Sequence, residues 1–472
     1  MSNPAELLSF DVATLAENFR RKMLSPVEVT DAYLAQIERL EPKLRCYITV
    51  TADLARASAK QAETEIASGN WRGPFHGIPV GLKDLCSTKG IRTTGGSKIL
   101  ADSVPDFDCT VWARLAEAGA VLLGKLNLHE FAAGATNTNQ HWGVCRNPYN
   151  TDRIPGGSSG GSGAAIVSRM AAATIGTDTG GSIRIPAAFC GCVGMKQTYS
   201  RVSRYGVLPL SDSLDHAGPI TRSVRDAALM LQVIAGHDPN DATSSHEPVP
   251  DYASVCGREV KGMRLGVVRE LTVGLSSEVA SSFNGALAKL SEIGAEVTEV
   301  SIPVIEHIAG ISSTITFVEA AEYHQSWLRT RPGDYGIDVR RALEAGMLTP
   351  GPLYVRAQRA RSVMLAQALT ALERCDALVA PTTAIPAPVI DVGARAKLPT
   401  GEAVDMVAAI LRFTAPFNVT GQPALALPTG LSADGLPLSM QIIGRPFDES
   451  GVFQIAAAYE AARGPLPEPK AL

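Results

Sequence analysis

The chain has 472 residues, 45% of them apolar and 19% charged, with a formal net charge of −4. That balance excludes a disordered chain and gives no global reason to expect a nucleic-acid partner. No apolar run approaches the ~18 residues that a membrane-spanning helix needs.

The N-terminal stretch MSNPAELLSFDVATLAENF lacks the basic-then-apolar pattern of an export signal. The eight cysteines (Cys46, Cys86, Cys109, Cys145, Cys190, Cys192, Cys256 and Cys375) form no C-x-x-C pair, and Cys190-Gly191-Cys192 is too tight for a zinc knuckle. The expectation is a cytoplasmic protein with free, buried thiols and no metal. An arginine-rich stretch, Arg329, Arg331, Arg340, Arg341, Arg356, Arg359 and Arg361, is diluted by acids and apolar residues and reads as solvated helix faces.

In chain order, SPVEVTDAYLAQIERL predicts the first long helix. Ser25 is its N-cap, Pro26 its first residue and Glu28 the partner in a capping box, with Val29, Tyr33, Ile37 and Leu40 at helical spacing. GIPVGLKDL is short and extended, TVWARLAEAGA helical, and VLLGKL an apolar strand. RIPGGSSGGSGAA follows, with five glycines and three serines between Gly156 and Gly163, and then a small-residue helix over Gly163–Arg169. Such density packs no core, and glycine loses most backbone entropy on folding, so the stretch reads as a loop that lets backbone approach something closely. AAATIGTDTGGS puts Ser182 in a turn after a strand. The polar segment GHDPNDATSSHEPVPD is the best candidate for a boundary. Beyond it come the strand MRLGVV, the helix SSEVASSFNGALAKLSEIGA, the strand EVTEVSI, further helices, and the late strands DALVAP and PLSMQIIG. Alternating strands and helices predict one large layered α/β/α domain with a mixed central sheet. Its parts are a helical N-terminal region (1–60), a core with the motifs (61–235), and the rest of the sheet with pocket helices (260–472).

Three stretches carry chemistry. Lys83 lies among Val80, Leu82 and Leu85, where desolvation would lower its pKa until it can accept a proton. Gly156-Gly157-Ser158-Ser159-Gly160 fits the G-x-S-x-G nucleophile elbow, but the preceding NPYNTDRIP is no strand, and no GK[ST] ending makes it a phosphate loop. Gly180 and Gly181, before Ser182, leave a row of backbone N–H groups open, as an oxyanion hole requires.

Together, PVGLKD, PGGSSGGSGAA and DTGGSIRIPAAFCG resemble the amidase signature family. The likeness continues through VSRYGVLPLSDSLDHAGPITRSV, GQPALALPTG and GLPLSMQIIGRP. The resemblance implies that family's fold and a serine hydrolase acting on C–N bonds without histidine or cofactor. It assigns Ser182 as nucleophile, Ser158 as a bridging serine after a cis Gly157–Ser158 peptide, and Lys83 as base. The oxyanion donors would be the backbone of Thr179, Gly180, Gly181 and Ser182.

Rival readings remain open on the residues. Lys125 also ends an apolar strand and reads as structural, while His216 beside Asp215 suggests a histidine triad that adjacency alone does not support. Asp178 and Arg184 brace the nucleophile loop, or Arg184 meets a substrate carboxylate. Gly134, His141, Trp142 and Phe413 are candidate substrate contacts, within the segments 134–143 and 348–354 and near 413. The main expectation is hydrolysis of a small apolar or aryl amide, with urea and carbamate hydrolysis as variants. The expected partners are a small-molecule amide, with no nucleic acid, no membrane, and a homodimer left open.

The alternative is the glutaminase subunit of a tRNA-dependent amidotransferase, a family member in an RNA-binding complex. Its glutamine pocket uses an acid shortly before a T-x-P-x-N stretch. The matching AAILRFTAPFNVTG has Ala408, Ala409, Ile410 and Leu411 ahead of Thr414, and no acid.

Overall fold

Ser25 opens the first long helix by accepting from the backbone N–H groups of Val27 at 3.1 Å and Glu28 at 3.3 Å. Its hydroxyl in turn meets Glu63 at 2.5 Å, and the helix, α1, runs Pro26–Leu44. This computed structural model describes residues 4–390, 395–397 and 403–469.

Eleven strands form one sheet. In chain order they are β1 (Tyr47–Val50), β2 (Pro79–Lys83), β3 (Val121–Leu126), β4 (Ala173–Asp178), β5 (Val193–Lys196) and β6 (His216–Thr221). There follow β7 (Arg264–Val268), β8 (Glu296–Val300), β9 (Ala377–Pro381), β10 (Ala424–Leu431) and β11 (Pro437–Ile443). The spatial order is β1-β3-β2-β4-β6-β5-β10-β11-β9-β7-β8. β2 runs parallel to both β3 and β4, and β9, β7 and β8 are parallel at the far end. The strands between are antiparallel. Every residue of β2, β3, β4 and β6 is buried, as strands covered by helices on both faces require.

The sheet continues across the polar segment at 236–251, so that segment is not a boundary. Its Asp238 accepts from Thr110 and from Ser203 Oγ, which stitches the segment onto the body. The small-residue helix α2 spans Gly160–Val167 and so starts three residues before the expected Gly163. Gly160 N–H finds Asn137 Oδ1 at 3.1 Å, and the close packing of the glycines lets the helix begin there. Four further helices matter below: α3 (Arg184–Cys190), α4 (Ile308–Thr330), α5 (Ile337–Met347) and α6 (Gly351–Glu373). All eight cysteines are free thiols, and all but Cys256 are buried. Among the described residues no helix is long and apolar enough to cross a membrane.

Candidate active site

Lys83 is the last residue of β2, and the register Leu82↔Ile175 sets it beside the end of β4. Its Nζ lies 2.7 Å from Thr177 Oγ1 and 2.6 Å from Ser158 Oγ. The side chain is fully buried. Burial pulls its amine down to about 7, against the opposing pull of Cys86, Asp215 and Asp178. A lysine so placed gives up its proton far more readily than a solvated one.

Ser158 reaches Lys83 through the glycine-rich loop. The Gly157–Ser158 peptide is cis, as the resemblance implies. A side chain at Gly157 would come within 2.8 Å of the backbone of Ala135, Thr136 and Asn137. The glycines are therefore there for close approach. His129 N–H holds the Ser158 carbonyl at 3.0 Å, and Ser159 N–H donates to the Ser182 carbonyl at 3.3 Å. These bonds lay the glycine-rich loop against the turn that carries Ser182.

That turn follows β4 and leads into α3. Gly181 has φ +142, and a Cβ there would stand 2.2 Å from Thr414 Oγ1, so only glycine fits. Thr414 Oγ1 donates to the Gly180 carbonyl at 2.5 Å, and Ile185 N–H to the Gly181 carbonyl at 2.7 Å. These two bonds fix the carbonyls of the turn. Asp178 caps the start of α3, accepting from Ile183 N–H at 3.1 Å and from Arg184 Nε at 3.1 Å. Arg184 also donates to Asn418 Oδ1 at 2.6 Å and Gln441 Oε1 at 2.9 Å. Burial pushes the Asp178 carboxyl up, yet the Arg184 guanidinium outweighs it and holds that carboxyl well below the usual range. Arg184 is thus spent on the brace and is fully buried.

Neither rival base meets a serine of the site. Lys125 Nζ donates to the Cys86 carbonyl and Thr93 Oγ1, both at 2.6 Å, and lies 3.4 Å from Asp84. His216 Nδ1 donates to the Leu214 carbonyl at 2.7 Å, which leaves Nε2 facing Lys196 Nζ at 3.3 Å. Burial pushes both His216 and Lys196 well below their ordinary values.

A cavity of about 400 Å³ opens at Ser182, Thr179 and Gly180. Its walls are largely apolar, with Ala132, Ala133, Leu210, Ile308, Phe317, Leu411 and Ala415. Gly134 lines it, as expected, but His141, Trp142, Phe413 and the segment 348–354 do not appear among its described lining residues. His141 pairs with Glu130 at 3.2 Å. Trp142 lies under Arg92 and lines a separate surface groove of about 990 Å³ along α1. Phe413 is buried in a core cluster.

Two charged residues that the sequence reading passed over, Asp405 and Arg412, reach the cavity. Asp405 lies beyond the window searched for an acid, and is carried there by a short ribbon in which it faces Arg395. The Ala408 side chain in that window lies outside what the structure describes. The contacts that Thr177, Thr414, Asn418 and Gln441 make are not marked in the sequence either, since they join residues up to 257 apart. Among the described residues no group of three His, Cys, Asp or Glu is placed to hold a metal ion.

A buried amine bonded to one serine, with a second serine on a glycine turn at the mouth of a cavity, lies on a mixed α/β sheet, a layout that suits a hydrolase of C–N bonds. The amidase family profile matches residues 28–453, and the chain belongs to the amidase signature family. Among its relatives is one of the subunits of the glutamyl-tRNA(Gln) amidotransferase of Geobacter metallireducens, 43% identical over 97% of this chain and 98% of that protein. A solved chain from a vestigial protein complex, tied to the origins of an s-triazine catabolic enzyme, superposes with a TM-score of 0.92 at 33% identity, over 96% of this chain and 98% of that one. A bacterial aryl acylamidase superposes with a TM-score of 0.88 at 27% identity, over 96% of each chain. These findings correct the expected partners, a small amide and no nucleic acid. A relative matched over nearly its whole length is one subunit of an enzyme named for a tRNA.

Proposed function

We propose that this chain is the amide-hydrolysing subunit of an amidotransferase of the glutamyl-tRNA(Gln) type. The observation that carries the reading is the end-to-end identity of 43% to such a protein. The cavity supports it, because Asp405 and Arg412 supply charges of both signs and an amino-acid amide such as glutamine carries an ammonium and a carboxylate.

In this reading neutral Lys83 takes the proton of Ser158, which takes that of Ser182, and Ser182 Oγ bonds to the amide carbon. The backbone N–H groups of Thr179, Gly180, Gly181 and Ser182 hold the resulting oxyanion. The proton returns through Ser158 to the amide nitrogen as the C–N bond breaks, releasing ammonia. Water then hydrolyses the ester on Ser182 and restores the hydroxyl.

One observation favours a second reading, hydrolysis of a less polar amide. Leu210, Ile308, Phe317 and Leu411 face the cavity, and the stretch Ala408 to Leu411 ahead of Thr414 holds no acid. Ammonia release from glutamine, measured beside aniline release from a simple anilide, separates the two. Faster turnover of glutamine is the expected result; faster turnover of the anilide overturns the first reading in favour of the second.

A further inference from the structure

Bonded to the turn that carries Ser182, and not among the described residues that line the cavity, is a buried carboxylate that the proposed relay does not use. Asp215 is 8% exposed and stands just before β6. Its Oδ1 accepts from Thr179 Oγ1 at 2.5 Å, and its Oδ2 from the N–H groups of Leu210 at 2.8 Å and Ser211 at 3.1 Å. Every partner is a donor, which suits an ionised, acceptor-only carboxylate.

The loop that Asp215 closes is held from its far side by Glu319 of α4. Glu319 accepts from Ser211 Oγ at 2.6 Å, Ser213 Oγ at 2.7 Å, Ser213 N–H at 3.0 Å and, from α6, the Tyr354 hydroxyl at 2.8 Å. Arg361 of α6 donates to the Ser213 carbonyl at 3.1 Å. The same loop contributes Leu210 to the cavity wall. A continuous set of polar contacts thus runs from the outer helices to Thr179, the first residue of the turn.

We infer that Asp215 is a positioning residue for the oxyanion turn, fixing Thr179 through its hydroxyl and adding a negative charge at the end of β4, where Lys83 also lies. The inference rests on the reading above, in which that turn binds the oxyanion and Lys83 is the base. Asp215 acts through Thr179 and Lys83, and touches no reacting atom. The titratable groups whose charges act on Lys83 are Cys86, Asp215 and Asp178, while burial pushes the Asp215 carboxyl up and its Thr179, Leu210 and Ser211 donors and Arg204 oppose that. Removing the Asp215 charge therefore leaves Lys83 easier to deprotonate.

The test compares Asp215→Asn, Thr179→Val and Thr179→Ser by kcat, KM and the pH dependence of kcat. Deleting one oxyanion donor costs ~10²–10³ in kcat, so a misdirected turn should cost a part of that, about tenfold or more, with KM within about twofold. Thr179→Val is expected to show this loss with an unmoved acid limb, and Thr179→Ser to recover most of it. Asp215→Asn should lose kcat and also move the acid limb to lower pH. Full kcat in Thr179→Val, or an unmoved acid limb in Asp215→Asn, overturns the inference. Thr179→Val changes only a hydroxyl, so a folding failure of Asp215→Asn leaves the first arm decisive. Ser182→Ala is run alongside: if it keeps turnover, the underlying reading has failed, whereas a dead Ser182→Ala with a normal Thr179→Val sinks only the role of Asp215.

Discussion

At the scale of single residues, the proposed relay makes two demands that can be measured. A fluorophosphonate should mark Ser182 alone, and Ser182→Ala should show neither label nor turnover. Ser158→Ala keeps the nucleophile and its N–H donors but loses the proton bridge, a general acid–base step worth ~10²–10⁴-fold, so slow residual labelling is expected. A label on Ser158 in the unmutated protein would reverse the two roles. The second demand concerns pH. Lys83 must be neutral to act, and burial sets its amine at about 7, so kcat should rise with pH along an acid limb centred near that value. A limb near the free lysine value of ~10.4 would mean a solvated amine, and one unmoved by Lys83→Ala a different base. His216→Ala should perturb packing around Lys196 but leave this limb in place, because the histidine faces Lys196 and two backbone carbonyls.

At the scale of elements, the site is a junction of two turns pinned from distant parts of the chain. Gly157→Ala should cost at least ~10²-fold in activity with the far-ultraviolet spectrum unchanged, since the added carbon displaces the Ser158 loop and not the sheet. Full activity would show that this close approach is unimportant. Arg184→Ala belongs to the other class of change. It leaves the Asp178 carboxylate buried without its guanidinium, a loss of ~3–5 kcal/mol, and should lower the unfolding midpoint sharply. What was legible in the sequence follows the same division. β2, β3, β7, β8, β9 and β11 are read from apolar runs bounded by turn residues. VGMK and HAGPIT at β5 and β6 offer no such run and become strands through their pairing with neighbours. Lys83, Ser158 and Ser182 stand out as candidates because their motifs are local. Asn418, Gln441, Thr414 and Asp405 do not, because nothing near them in sequence marks the contacts they make.

At the scale of the whole molecule, chelators should leave activity intact, since the proposed relay uses one amine and two hydroxyls; loss in EDTA with recovery in zinc would refute this. If the chain is one subunit of a larger enzyme, affinity purification from its own host should retain partner subunits in fixed stoichiometry. Full glutamine turnover by the isolated chain would show that hydrolysis itself needs no such assembly. The layout of the sheet has a consequence for how the protein fails and how it can change. The amine and its contacts sit at the ends of β2 and β4, two neighbouring, wholly buried strands in the interior of one cooperative sheet. The backbone amides of Leu82 and Thr177 should accordingly rank among the slowest to exchange with deuterium, and turnover should vanish in denaturant together with global structure rather than ahead of it. The outer wall of the cavity comes instead from 308–317 and 405–415, on elements off the sheet, so selectivity can be rewritten there while the bond-breaking apparatus stays under the protection of the fold.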